Sequence, residues 1–211
     1  MKPGDVIAFG SYWQTSDGKD KTAIKWRVLQ NTGRELIILS EYLLDCKRYY
    51  KEFTDITWRD SDLRKWLNDE FYNTAFDDSE KRFLKTTLCS DNGEGTPDTN
   101  DKVFLLSVNE LKTLSDTLGK DLRRAVGTEF AKVKKADGCR LYTYNLKDER
   151  NYKIGNGQRI GYSWWWLRTQ LGTLSRAAFV GTLASIRSYG RVNLPYYGVR
   201  PVIVLDLQYL A

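Results

Sequence analysis

The 211-residue chain contains no histidine. That absence removes Ser-His-Asp and Cys-His catalysis, the HExxH zinc site and the two-His iron triad, and leaves carboxylate or lysine chemistry among the common enzyme designs. Cysteine is sparse as well. Cys46, Cys89 and Cys139 lie far apart without CxxC spacing, so they read as reduced thiols, some of them buried, and neither a disulfide framework nor a metal site is expected. No apolar run approaches the roughly 20 residues of a membrane span. The start, Met1-Lys2-Pro3-Gly4-Asp5, leads directly into a strand-like run with no apolar signal-peptide region. The expectation is a protein without membrane insertion, cytoplasmic or virion-associated. P-loop, zinc-finger and helix-turn-helix signatures are missing too. The net charge of +6 is modest for this length, and over residues 1–160 Lys and Arg are interspersed with Asp and Glu. It reads as a mixed solvated surface, and nucleic acid is not the expected partner.

What is present is the material of a folded α+β domain. With no linker or internal repeat, residues 1–211 read as one domain. Val6-Ile7-Ala8-Phe9 predicts a first strand, closed by a turn at Gly10-Ser11-Tyr12. Ala23–Leu29 and Glu35–Ser40 predict two more, with Ile24, Trp26, Val28, Leu36 and Ile38 on the inner face. Leu63, Trp66, Leu67, Phe71 and Tyr72 follow at helical spacing behind a cap at Asp60 or Ser61, and Trp66 reads as a core anchor. A second helix is expected after Asp78-Ser79, with Phe83 and Leu84 inward. Ser90–Asp98 reads as a solvated polar loop that lacks the pattern of a calcium site. Lys102–Leu106 predicts a strand, Ser107–Glu110 a capping box opening a helix, and Leu122–Val133 a further helix.

The character changes at Tyr162. Ser163-Trp164-Trp165-Trp166-Leu167-Arg168 is an aromatic run, of which a strand's alternation would bury only part. Gly198–Leu205 predicts a closing strand, and Arg168 and Arg200 read as interior arginines held by carboxylates or carbonyls. Between the two blocks, Leu171–Arg200 contains no Lys, Asp, Glu, Gln, Met or Trp, and its charges are Arg176, Arg187, Arg191 and Arg200. Lys, Glu, Gln, Met and Trp together make up 39 residues of the chain, so about five or six are expected in a stretch of that length. Tyr and Arg beside Ser, Gly and Asn is the chemistry of an antibody paratope, although irregular β-loops selected only for turn formation have a similar composition.

The chain resembles a bacterial and phage family of domains related to the C-type-lectin and formylglycine-generating-enzyme folds. The resemblance rests on Gly4-Asp5-Val6-Ile7-Ala8-Phe9-Gly10-Ser11-Tyr12, Ile24-Lys25-Trp26-Arg27-Val28-Leu29, Leu63-Arg64-Lys65-Trp66-Leu67-Asn68, Phe71-Tyr72-Asn73-Thr74-Ala75-Phe76, Lys102-Val103-Phe104-Leu105-Leu106-Ser107, Trp165-Trp166-Leu167-Arg168 and Gly198-Val199-Arg200-Pro201, in order along nearly the whole chain. It implies a C-type-lectin-like α+β fold, an antiparallel sheet with helices and an irregular C-terminal binding face. Some members of the group are variable proteins of diversity-generating retroelements, in which AAC codons become NNC and so never encode Lys, Glu, Gln, Met or Trp.

The resemblance further implies a variable segment at 171–197. Its variable-type positions are Thr173, Leu174, Arg176, Phe179, Gly181, Thr182, Leu183, Ser185, Arg187, Ser188, Tyr189, Arg191, Asn193, Leu194, Pro195, Tyr196 and Tyr197. Ala177, Ala178, Val180, Ile186, Gly190, Val192 and Gly198 form the retained frame. The chain departs from the pattern at Gln170-Leu171, where Pro-Gly is usual, and at Ala184, where Gly is common. The implied function is recognition of a protein target, with no cofactor, no metal and no catalysis. The alternatives are a fixed-specificity lectin-like module, a formylglycine-type oxidase using a cysteine pair such as Cys89 and Cys139, and a nucleic-acid binder.

Overall fold

Period-two alternation in the first forty residues builds one sheet. In the computed structural model, which describes residues 1–142, 146–147 and 149–210, β1 (Val6–Trp13), β2 (Lys21–Asn31) and β3 (Glu35–Ser40) form an antiparallel meander. The five residues expected on its inner face are all fully buried. Gly10-Ser11-Tyr12 is not a turn. Gly10 adopts φ +63°, and a Cβ there would stand 2.6 Å from the Phe76 ring and 2.7 Å from the Ala75 carbonyl. The glycine bulges the strand over Phe76, and pairing resumes at Ser11 and continues to Trp13.

The chain then passes through β4 (Asp45–Cys46) to a helical stretch made of α1 (Asp62–Trp66), a π-turn at Leu67–Phe71 and α2 (Tyr72–Ala75). Ser61 is its cap and accepts from the Arg64 amide at 3.2 Å. Leu63, Leu67 and Phe71, four residues apart, make the inward line. Trp66 sits beside that line, only half-buried, with the Lys47 ammonium 4.7 Å from its ring, so it borders the core and does not anchor it. A capping box of Asp77 and Glu80 opens α3 (Asp78–Lys81), after which Leu84 is buried and Phe83 half-buried.

β5 (Thr87–Cys89) and β6 (Thr99–Asp101) form a hairpin around the polar loop. The expected strand at Lys102–Leu106 shortens to β7 (Val103–Phe104), because the Leu105 and Leu106 carbonyls accept from Arg168 instead of from a ladder. The capping box at Ser107 and Glu110 opens α4 (Val108–Leu118) as its pattern predicts. The helix expected at Leu122–Val133 does not form. A short 3-10 turn at Lys120–Arg123 gives way to extended chain, which exchanges backbone hydrogen bonds with Leu43 through Val126 and Thr128. Only α5 (Glu129–Lys132), capped by Thr128, remains helical. Tertiary pairing with Leu43 overrides the local helical spacing.

The C-terminal third contains the hairpin β8 (Tyr152–Gly155) and β9 (Gln158–Gly161), then β10 (Trp165–Trp166), β11 (Arg176–Val180), β12 (Ile186–Arg191), β13 (Gly198–Val199) and β14 (Val202–Asp206). Strands are hydrogen-bonded in the order β1-β2-β3-β14-β7 in the first large sheet and β12-β11-β10-β13-β4 in the second. Apart from β10 beside β13, the neighbours in both are antiparallel. The result is a mixed α+β architecture, mostly sheet with few helices. One cluster of buried side chains runs through both large sheets. Among the described residues no helix is long and apolar enough to cross a membrane.

The aromatic run is buried more completely than alternation allows for a half-exposed strand. Trp165 and Trp166 are both inaccessible, because β10 is the central strand of its sheet and both of its faces are covered. Their indole N–H groups donate in different directions, Trp165 to the Arg123 carbonyl and Trp166 to the Lys47 carbonyl. Both expected interior arginines are confirmed. Arg168 forks onto Glu110 and donates to Asn92 Oδ1 and the Ser90 and Leu105 carbonyls. Arg200 lies over the Trp165 ring and donates to the Ser40 and Leu122 carbonyls, and burial lowers its pKa to about 10. The polar loop is therefore more than solvated filler, since its Ser90 and Asn92 hold Arg168.

Candidate ligand-binding face

The edge of the second sheet carries the site. β12 is the terminal strand of that sheet, and positions two apart on a strand share a face. Ser185, Arg187, Tyr189 and Arg191 accordingly line one side of a cavity of about 420 Å³. β11, paired alongside β12, adds to the same lining, and its pairing register shifts between Ala177 and Phe179. This irregularity lets Arg176, Phe179 and Gly181 face the same cavity. The β11–β12 loop adds Thr182 and Leu183, and Leu194, Tyr197 and Trp164 complete the described lining.

An aromatic floor supports the cavity. The Tyr197 ring lies 3.8 Å from Trp166 and 4.9 Å from Phe179, centroid to centroid, and Trp164 lies 5.4 Å from Phe179. Trp164 is in turn stacked on Tyr142 at 3.7 Å. Gly190 is required beneath this floor, since a Cβ would meet the Trp166 ring at 2.7 Å and both the Ala177 carbonyl and the Phe179 ring at 2.9 Å. Burial, with the Tyr189 hydroxyl as a smaller influence, pushes the Tyr197 phenol up to about 12. Tyr197 stays neutral at any physiological pH.

The rim is exposed and basic. Tyr189 is 56% and Leu183 44% accessible. Arg187 donates to Ser185 Oγ, Arg176 to the Tyr189 carbonyl, and the Arg191 guanidinium lies 4.0 Å from the centre of the Phe53 ring. Among the described residues no carboxylate lines the cavity or pairs with these three arginines.

The variable-type positions divide into three groups. Arg176, Gly181, Thr182, Leu183, Ser185, Arg187, Tyr189, Arg191 and Leu194 line the cavity. Phe179 and Tyr197 line it too, but only as floor, at 3% and 2% accessibility. They were expected to point outward, and the aromatic cluster holds them in. Thr173, Leu174, Ser188, Asn193, Pro195 and Tyr196 lie outside the lining. Of these, the 193–196 stretch is tied down through its carbonyls, which accept from Arg48 Nε at Asn193, from the Arg140 amide at Pro195 and from the Tyr142 amide at Tyr196. The frame residues Ala177, Ala178, Val180, Gly190, Val192 and Gly198 are buried, and Ile186 is half-buried against the core. Trp164 was not among the candidates. Its place as the outermost residue of the tryptophan run, next to two inward ones, is the signal that marks it.

Both departures from the pattern fall at positions under a local constraint. Gln170 Nε2 donates at 2.6 Å to the carbonyls of Ile56 and Leu174, which fixes the entry to the segment. Ala184 adopts φ +62° in the β11–β12 loop, a left-handed conformation that costs a non-glycine residue roughly 1–2 kcal/mol. Ala184→Gly is expected to raise stability by up to about 1 kcal/mol after the glycine's extra unfolded-state entropy is subtracted, read as a shift of the urea midpoint at constant slope.

All three thiols are free and buried. Cys89 lies near Asp101 and Arg168, and burial pushes it up to about 12. The thiol that Cys139 approaches is Cys46. The neighbouring Cys139 thiol and burial raise the Cys46 pKa, while Cys46 Sγ donates to the Pro195 carbonyl at 3.6 Å and Arg48 donates to Cys139 Sγ at 3.4 Å. The cysteines brought together are thus not Cys89 and Cys139, and neither member of the actual pair lines the cavity. Among the described residues no group of His, Cys, Asp and Glu could hold a metal ion.

A family model described as a domain of unknown function, DUF6273, matches residues 33–207, which is most of the chain. No curated protein and no solved structure matches it.

Proposed function

The chain belongs to the DUF6273 family, and we propose that it is a ligand-binding protein with a C-type-lectin-like fold, whose C-terminal face is diversified by a retroelement to recognise protein targets. One observation carries this reading. Among the described residues, every side chain lining the cavity except Trp164 comes from Arg176–Tyr197, and each is of a type that an NNC codon supplies. Both large sheets and the helices provide the core, including the buried frame residues Ala177, Ala178, Val180 and Val192, so exposed rim residues change without loss of the fold. Leu183, Arg187, Tyr189 and Arg191 are the principal contacts, with Phe179, Tyr197 and Trp164 beneath them. The formylglycine-type alternative is weaker, because the Cys46–Cys139 pair is buried away from the cavity.

One observation favours the fixed-specificity reading. Phe179 and Tyr197, variable-type by position, are packed as structure. An NNC library at Thr182, Leu183, Ser185, Arg187, Tyr189 and Arg191 discriminates the two. Surface substitutions cost up to about 0.5 kcal/mol each, so most clones should fold with Tm lowered by no more than about 10 °C. Selection against two unrelated proteins should yield different binders. General misfolding, or no binder to either protein, would contradict the diversified reading.

A further inference from the structure

From the charge and shape of the cavity we infer that its partner is an acidic, extended segment of another protein, with an aromatic or large aliphatic side chain entering the cavity and Asp or Glu on either side. This inference rests on the reading of the face as a binding surface and names what that surface takes. Three features lead to it. Arg176, Arg187 and Arg191 line the cavity without a carboxylate partner among the described residues. Guanidinium groups in that state form charge-assisted, forked hydrogen bonds to an incoming carboxylate. The floor beneath them is Phe179, Tyr197 and Trp164, an apolar surface that dissolves a side chain and not an ion.

The third feature selects a polypeptide over a nucleic acid. β12 is an edge strand, and Arg187, Ser188 and Tyr189 are exposed in succession, which leaves room for an extended chain to lie along it. Leu171–Arg200 also has no lysine, and its three rim arginines line one cavity and do not form the long stripe that tracks a phosphate backbone.

The test is a selection of random 12-residue peptides displayed on phage against the full chain. A second selection uses Arg187→Ser/Arg191→Ser, a change to exposed residues whose folding is checked by an unchanged Tm. Peptides held by the parent should be enriched in Asp and Glu adjacent to an aromatic or Leu residue. Synthetic copies should lose about tenfold or more in affinity for the double variant, and should weaken as salt rises. Peptides without acidic bias that still lose binding to Tyr189→Ala or Leu183→Ala would overturn this inference and leave the binding face standing. Peptides indifferent to all of these substitutions, or no retained peptide at all, would overturn both. A twelve-residue oligo-dT that binds through the same arginines, in place of any peptide, would replace the protein partner by single-stranded nucleic acid.

Discussion

Arg168→Ala is expected to destabilise the protein by about 3–5 kcal/mol, the cost of leaving the buried acceptors served by its guanidinium without a donor. For a chain of this length that corresponds to a Tm lower by roughly 6–20 °C. The guanidinium is 1% accessible and joins elements far apart in sequence, namely the loop through Ser90 and Asn92, the end of β7 through Leu105, and the α4 capping box through Glu110. Glu110 is partly exposed and regains water when the arginine is removed. The Asn92 side chain and the Leu105 carbonyl have less access to replacement partners, and their desolvation dominates the loss. Arg168→Lys should recover little, since one ammonium cannot reproduce five N–H donors in a fixed plane. Parallel urea and thermal melts of both variants check this. A loss under about 1 kcal/mol for Arg168→Ala would show that the network is decoration.

The second large effect falls inside the face itself. Phe179→Ala or Tyr197→Ala should cost about 3–5 kcal/mol, as for other fully buried aromatics, because each ring contacts the other and the tryptophans of the 164–166 run. Tyr189→Ala and Leu183→Ala, from the same segment and of comparable hydrophobicity, should change stability by about 0.5 kcal/mol or less. Melting the four variants side by side separates floor from rim. Equal losses at all four positions would mean that the rim is core, and the cavity would lose its standing as a tolerant surface. The same contrast limits diversification, since variants of positions 179 and 197 should be restricted to aromatic residues that fill the floor.

The parts of this structure that were legible in the sequence have short-range causes. The alternation of Ile24, Trp26 and Val28, the Ser61 cap and the Ser107–Glu110 box are settled within a few residues, and each appears where its pattern places it. The misreadings come from long-range causes. Gly10 looks like a turn until Phe76 is found against it, and Leu122–Val133 looks helical until Leu43 claims its backbone. At the site, composition marked the segment and β12 alternation orders its rim. The inward direction of Phe179 and Tyr197 was hidden because it depends on the register shift in β11 and on tryptophans outside the segment. The Cys46–Cys139 contact was hidden for the same reason, with 92 intervening residues folded between its partners.

We propose that the rim side chains of the cavity were written by a diversifying mechanism onto a fold that does not need them. Sequencing the DNA on both sides of the coding region tests it most directly. The account predicts a reverse-transcriptase gene and a near-copy of the segment encoding Leu171–Tyr197, with adenines where codons for cavity residues such as Leu183, Arg187, Tyr189 and Arg191 differ from it. A locus with neither, and a coding segment identical in independent isolates, would contradict it.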